Sequence, residues 1–232
     1  MNFPELIHGK LIKRYKRFLA DIILDDGQEI TAHVPNTGAM TSCIEENCSV
    51  WVSFHDNPKR KLKYTLELTQ MNEQLICTNT GVANKIAIEA VKNENIKELQ
   101  GYKNIKPEQK YGQNSRIDIL LSNDEDEKKC YVEVKSVSLR IEDELAFPDS
   151  VTERGTKHLE ELMNIVQEGH RAVMLYVIQR TDDAKFRIAN EIDPKYYETF
   201  KKAIENGVEI LVYQSDITLE NILIKKSHKF KL

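Results

Sequence analysis

Asp118, Glu133 and Lys135 are the residues of this chain whose types and spacing could do chemistry. They fall in two apolar, β-branched runs, residues 115–121 and 130–135, joined by the short polar segment 122–129, which is the pattern of a β-hairpin. Strand residues two apart point the same way, so Glu133 and Lys135 share one face while Val132 and Val134 take the other. Asp118, between Ile117 and Ile119, points toward that same face. Two carboxylates and an ammonium then converge on one patch. Such a patch suits Mg²⁺ or Mn²⁺, held by one or two carboxylates with water and substrate phosphate completing the shell. A neighbouring lysine can position water or offset charge developing on a phosphorane-like transition state. The competing reading is a buried ion pair, Glu133 with Lys135 or Asp118 with an arginine.

The composition of the 232-residue chain sets limits on this chemistry. Hydrophobic residues make up 41% and charged residues 30%, which is ordinary for a globular protein of one large or two small domains. A net charge of −4 gives no global attraction to nucleic acid, so any such contact must come from local patches. No apolar run is long enough to span a membrane, no leader layout opens the chain, and the cytoplasm is the expected compartment. Cys43, Cys48, Cys77 and Cys130 lack metal-binding spacing and read as reduced, partly buried thiols.

The elements that must carry the site divide into a β-rich third and an α/β remainder. Strand-like runs at residues 6–24, 28–34, 50–54, 62–68 and 75–78 are separated by turn signals at 25–27, 35–38 and 55–58. Five strands in so short a stretch suit a small barrel of the OB type. Two basic stretches lie in it. Lys13, Arg14, Lys16 and Arg17 are interleaved with Tyr15, and Lys59, Arg60 and Lys61 follow later; cations beside aromatic rings can grip phosphates and stack bases. Lysines on barrel edges also serve simply to prevent edge pairing. In the segment 33–38, Pro35 and Gly38 read as turn residues, Gly38 supplying positive φ, with Asn36 and Thr37 as candidate phosphate donors.

From Gly81 the spacing becomes helical over residues 82–99, with Glu89 beside the buried stripe as a less secure third metal carboxylate. A strand at 105–111 and a turn at 112–114 precede the central hairpin. Ser150 and Glu153 have the spacing of a capping box for a helix ending at Gly169, with Leu159, Leu162, Met163 and Val166 on its buried stripe. Arg154 and His158 share another face with Lys157 beside them, a candidate phosphate-binding surface. Residues 172–178 form a continuous apolar run, the mark of a strand buried on both faces, and 186–189 is a further strand. Asp193 and Pro194 open a helix burying Tyr197, Phe200 and Ile204. A core strand covers 208–213, and no structure is expected for the basic tail 225–232.

Helix, three strands, helix, strand, with Asp118 on the second strand and Glu133-x-Lys135 on the third, resembles the core of the PD-(D/E)XK nuclease superfamily. The blocks His33-Val-Pro-Asn-Thr-Gly-Ala-Met40, Ser115-Arg-Ile-Asp118, Tyr131-Val-Glu-Val-Lys-Ser-Val137, Phe147-Pro-Asp-Ser-Val-Thr-Glu-Arg-Gly155, Lys157-His-Leu159 and Arg171-Ala-Val173 look like the sugar fermentation stimulation protein A family across nearly the whole chain. Ser150 departs from that pattern, where the family usually has alanine. The resemblance implies a mixed α/β fold with an OB-like nucleic-acid-binding domain over residues 1–81 and a nuclease-like domain over 82–232. It implies binding to DNA without marked sequence preference, and an association with regulation of maltose and other sugar use; nothing in the residues selects DNA over RNA. Asp118 and Glu133 carry over as metal ligands and Lys135 as the water-positioning cation. Pro148-Asp149 imitates the superfamily motif but follows Glu-x-Lys in the chain, so Asp118 is the motif aspartate. A metal-dependent nuclease and a DNA-binding regulator with little or no cutting are the two functions in competition.

Overall fold

The computed structural model describes residues 1–111, 115–228 and 230. The expected turn at 112–114 lies outside them. The first run folds back on itself instead of continuing as one strand. Lys16 and Arg17 adopt φ of 49° and 66°, and their turn separates β1 (Leu6–Tyr15) from β2 (Leu19–Leu24), which pair antiparallel. An unbroken strand over residues 6–24 would be about 60 Å long, too long for a small barrel. With β3 (Glu29–His33), β4 (Ser49–Phe54) and β5 (Tyr64–Met71) the order is β3-β2-β1-β4-β5. A parallel contact of Ala32 with Tyr64 and His33 with Thr65 closes the ring. The barrel has five strands as expected, but the run 6–24 supplies two of them and residues 75–78 none. Strand alternation fills it: Ala20, Ile22 and Leu24 turn inward from β2 onto Leu11, Val50, Val52 and Leu66. A sixth strand, β6 (Gln74–Cys77), pairs with β5 and leads out of the barrel.

Helix α1 (Gly81–Lys92) follows, shorter than the expected 82–99. Glu94 takes φ 57°, its N–H bonds Val91 O at 3.2 Å and Asn95 N–H bonds Ala90 O at 2.8 Å. That pair of bonds is a Schellman stop. Ile96 and Leu99 are nonetheless fully buried, by a short 3₁₀ turn at Lys97–Leu99, so the apolar period outlasts the helix. Strands β7 (Asn104–Tyr111), β8 (Ser115–Ser122) and β9 (Cys130–Val137) come next, the last two forming the central hairpin. Pro107, which has no N–H, is tolerated because β7 lies at the sheet edge. The hairpin β10 (Leu139–Ile141) and β11 (Glu144–Phe147), unanticipated from the sequence, separates β9 from helix α2 (Glu153–Gln167).

Strand β12 (Arg171–Ile178) is buried from Ala172 to Ile178 between parallel neighbours β9 and β14 (Glu209–Ile217). Between β12 and β14, β13 (Lys185–Ile188) pairs with β11 and helix α3 (Pro194–Glu205) packs on α2. The sheet ends with β15 (Ile222–Ser227), so residues 225–227 of the expected unstructured tail lie in a strand, Lys226 and Ser227 paired with β14 and Lys225 at a bulge. Sheet order is β15-β14-β12-β9-β8-β7. Residues of α1 pack on one face with Val132, Val134 and Val173, and those of α2 and α3 on the other with Met174 and Tyr176.

One cap differs from expectation. Thr152, not Ser150, caps α2: its Oγ1 accepts from Gly155 N–H at 3.1 Å, while its own N–H is held at 2.8 Å by Asp193 Oδ2. Gly169 at φ 89° ends that helix as expected, and Asp193 caps α3 on Tyr196 N–H at 2.9 Å. The buried stripes are also rotated slightly. Ile165 lies deeper than Met163 or Val166, and Tyr196 and Ala203 lie deeper than Tyr197 or Ile204.

A buried ion pair joins the barrel to the α/β half. Arg180 and Asp182, 2% and 4% exposed, are 2.6 Å apart, and Arg180 Nη1 also donates to Ser42 O and Ser138 O at 3.0 and 2.7 Å. Cys77 N–H to Gln179 O and Thr181 N–H to Leu75 O add main-chain bonds across the same joint, at 2.9 and 3.1 Å. The barrel loop 36–38, held by Arg14 through the carbonyls of Asn36 and Gly38, lines the cleft between the two halves.

Candidate functional site

The central hairpin splays where its chemistry begins. β8 and β9 are paired from Leu121–Cys130 to Ile119–Val132 and no further. Beyond that point Asp118 Oδ2 accepts Val134 N–H at 2.8 Å, so a carboxylate replaces a ladder partner. Its other oxygen accepts from Asn84 Nδ2, on the first turn of α1, at 2.7 Å. Burial, then repulsion from Glu133, raises the Asp118 carboxyl to about 6.

Glu133 and Lys135 share a face as their spacing predicts, and Lys135 Nζ donates to Glu133 Oε1 at 2.7 Å. His158 Nδ1 meets the same oxygen and lies 3.0 Å from Lys135 Nζ. Glu133 is only 2% exposed, and burial alone would push its carboxyl up; His158 and Lys135 outweigh that and hold it below the ordinary range. Its Oε2 has no hydrogen-bond partner among the described residues. These groups line a cleft of about 570 Å³. One wall is the barrel, through Arg17 and residues 36–38; the other is the segment from β11 into α2, through residues 147–152 and Arg154. Gly38 is there for close approach rather than for positive φ: a Cβ on it would stand 1.9 Å from Asp149 Oδ2. Asp149 lines the cleft too, although its place in the chain sets it apart from the motif.

The other candidates disperse. Glu89 is half exposed and bonds the Met1 amine at 2.8 Å, away from the cleft, because α1 turns Asn84 rather than Glu89 toward Asp118. Among the described residues no three His, Cys, Asp or Glu side chains gather as a metal cage. His158 is buried beside Glu133 rather than on an outer face with Lys157, which is exposed and 3.4 Å from Glu161. Arg154 is exposed at the cleft, its Nε donating to His158 Nε2 at 3.3 Å.

In the first basic stretch Arg14 is committed to its own chain, donating to the carbonyls of Arg17, Asn36, Gly38 and Ala39. Lys13 and Tyr15 both contact Asp21, at 3.6 and 3.1 Å. Lys16 and Arg17 remain exposed at the turn beside Phe18, itself 47% exposed. In the second stretch Arg60 bonds Thr65 at 2.8 Å, and Lys59 and Lys61 are exposed. Asn36 Oδ1 is used within its loop, accepting Gly38 N–H at 2.9 Å. The signal for His158 in the sequence was its place one turn after Arg154; its direction depended on how α2 lies on the sheet.

A closed five-stranded barrel joined to an α/β half, with a carboxylate–lysine cleft between them, defines the class of protein. Two family models match it: the SfsA N-terminal OB domain over residues 12–78, and the sugar fermentation stimulation protein RE domain over residues 81–221. The chain is 50% identical over 232 residues to a sugar fermentation stimulation protein homolog of Shewanella frigidimarina, covering 99% of this chain and 98% of that one. It is 50% identical to a homolog of Pseudoalteromonas atlantica, covering 97% and 96%. A solved structure described as Pyrococcus furiosus SfsA in complex with Ca²⁺ has the same fold, with a TM-score of 0.89 at 24% identity over 100% of this chain and 98% of that one. The chain belongs to the sugar fermentation stimulation protein family. Among the described residues no helix is long and apolar enough to cross a membrane.

Proposed function

We propose that the chain is a divalent-metal-dependent phosphodiesterase acting on nucleic acid, with residues 1–81 gripping the strand and residues 82–232 cutting it through a PD-(D/E)XK-type site. One observation carries this reading: Glu133 Oε2 is buried, without a hydrogen-bond partner among the described residues, beside Asp118, a second carboxylate that burial and repulsion already disfavour in its charged form. A purely structural ion pair would account for Oε1, which meets Lys135 and His158, but not for the orphaned Oε2 beside a second carboxylate disfavoured in its charged form. Mg²⁺ or Mn²⁺ fits, because such ions bind through one or two carboxylates and keep several waters. The similarly folded Pyrococcus furiosus SfsA is described in complex with Ca²⁺, a cation that takes oxygen ligands.

Asp118 and Glu133 would hold the cation, whose contribution is to lower the pKa of water and neutralise phosphate charge. Lys135 Nζ, anchored on Glu133 Oε1, has further N–H bonds to orient the attacking water and to offset charge on the phosphoryl oxygens. Arg17 and Arg154, on opposite walls, draw the phosphate backbone into the cleft without reading bases. Four buried, unbridged cysteines fit a cytoplasmic setting. The test is degradation of single- and double-stranded DNA and RNA with Mg²⁺, Mn²⁺ or chelator, set against Asp118→Asn, Glu133→Gln and Lys135→Ala. Metal-dependent products lost in all three variants support cutting. Tight binding with every substrate intact would instead leave a DNA-binding regulator of sugar use as the function.

A further inference from the structure

His158 has no part in the carboxylate–lysine chemistry just described, yet it is buried, 5% exposed, against that chemistry's central residue. Its hydrogen bonds decide its tautomer. Arg154 Nε carries a hydrogen and donates to His158 Nε2 at 3.3 Å, so Nε2 must be bare. The ring hydrogen therefore sits on Nδ1, where it meets Glu133 Oε1. A bare Nδ1 could accept from Lys135 Nζ, 3.0 Å away, but it would set its lone pair against Glu133 Oε1 and could not coexist with the ring hydrogen that Arg154 excludes from Nε2. Glu133 Oε1 thus receives two donors, His158 Nδ1–H and Lys135 Nζ at 2.7 Å, while Oε2 of the same carboxylate receives none among the described residues. Neither donor sits where it can reach both oxygens, so the pair fixes one and leaves the other available.

We infer that His158 is a positioning residue of the cleft: it locks the Glu133 carboxylate through Oε1, so that Oε2 is the atom offered to a divalent cation, and Arg154 at the cleft rim sets the imidazole tautomer that makes this lock possible. The inference rests on the metal reading above. Lys135 alone cannot do the same work, because a flexible four-carbon stem with a rotating ammonium fixes distance but not the plane of the carboxylate. An imidazole wedged between α2 and β9 fixes both. Groups that orient a metal ligand from behind in this way typically govern affinity by 10–100-fold. Arg154 serves twice, since the side chain is exposed and lines the cleft, where its other N–H groups can meet a phosphate. A strand that engages Arg154 is thereby linked to the carboxylate that holds the cation, and such linkage acts in both directions.

The experiment is calorimetric titration of Mn²⁺ into the purified full chain without nucleic acid, for the parent, His158→Leu, His158→Gln and Arg154→Ala, with ¹⁵N NMR of the imidazole in the parent and Arg154→Ala. Expected are a Mn²⁺ affinity about 10–100-fold weaker in His158→Leu, recovery of most of it in His158→Gln, whose amide can donate to Oε1, and an Nδ1–H imidazole in the parent that becomes a tautomer mixture in Arg154→Ala. Parent-like affinity in His158→Leu with melting unchanged overturns the assignment, and so does equal weakening in His158→Leu and His158→Gln. If His158→Leu fails to fold, the tautomer decides: an Nε2–H imidazole in the parent, or an imidazole unchanged by Arg154→Ala, overturns it. A parent that binds no Mn²⁺ overturns the metal reading itself, and the assignment with it.

Discussion

Replacing Asp118 by asparagine separates a cation-awaiting carboxylate from a structural one, and the structure gives the size of the effect. Burial and the neighbouring Glu133 lift the Asp118 carboxyl from 3.8 to about 6. That rise corresponds to about 3 kcal/mol of disfavoured charge at neutral pH. Asparagine removes that charge and keeps the shape. Its amide oxygen can take Val134 N–H, and its NH₂ faces Asn84, whose own amide can turn to accept. Exchanging two charge-assisted bonds for neutral ones costs about 1 kcal/mol. The metal-free variant should therefore be more stable by about 1–2 kcal/mol, a rise in melting temperature of about 3–6 °C for a chain of this size.

The pH dependence has a definite sign. A carboxyl whose folded pKa is raised contributes stability that is present below the ordinary carboxylate range and is lost as pH rises through about 6. Parent and Asp118→Asn should then melt nearly together at pH 4 and diverge to the full difference by pH 7. Added Mn²⁺ at about a hundred times its dissociation constant should stabilise the parent by about 2.7 kcal/mol and the variant hardly at all. Scanning calorimetry across pH 4–8, with Mn²⁺ and with chelator, measures all of this. A metal-free variant that melts below the parent at pH 7, in a parent indifferent to metal, would show that Asp118 serves the fold and refute the reasoning.

Lys135→Ala should lower oligonucleotide turnover by about 10²–10³-fold while binding persists; single-turnover assays beside fluorescence anisotropy check this, and parent-like turnover would point to a contaminating nuclease. Arg180→Ala takes from buried Asp182 its buried partner, leaving it only the Arg140 guanidinium at 2.7 Å, and frees the carbonyls of Ser42 and Ser138; a loss of about 3 kcal/mol should lower the melting temperature by about 10 °C. Arg14 and Arg17 should part company despite being three residues apart. Arg14→Ala releases the loop carbonyls of Asn36, Gly38 and Ala39 and should lower melting, whereas Arg17→Ala should leave melting unchanged and weaken binding of all strands alike, with a shallower salt dependence.

Local rules made much of this protein legible from its sequence. Period-2 alternation placed Glu133 and Lys135 on one face, because side chains of a strand alternate whatever surrounds them. The wholly apolar run at 172–178 announced a strand covered on both faces, and Asp193-Pro194 announced a helix start, since both signals act over a few residues. Signals that compete locally were settled elsewhere. The helix over 81–92 stops although its apolar period runs on, because Ile96 and Leu99 reach the same core through a tighter turn. Arg14 and Arg17 look alike in the chain; only the way the β1–β2 turn meets the loop 36–39 commits one to carbonyls and leaves the other at the cleft. Glu89 and Asn84 sit on one helix, and the rotation of that helix on the sheet decides which meets Asp118. His158 became part of the site for the same reason: residue type and spacing fix what a side chain can do, while the packing of α2 across β9 fixes what it can reach.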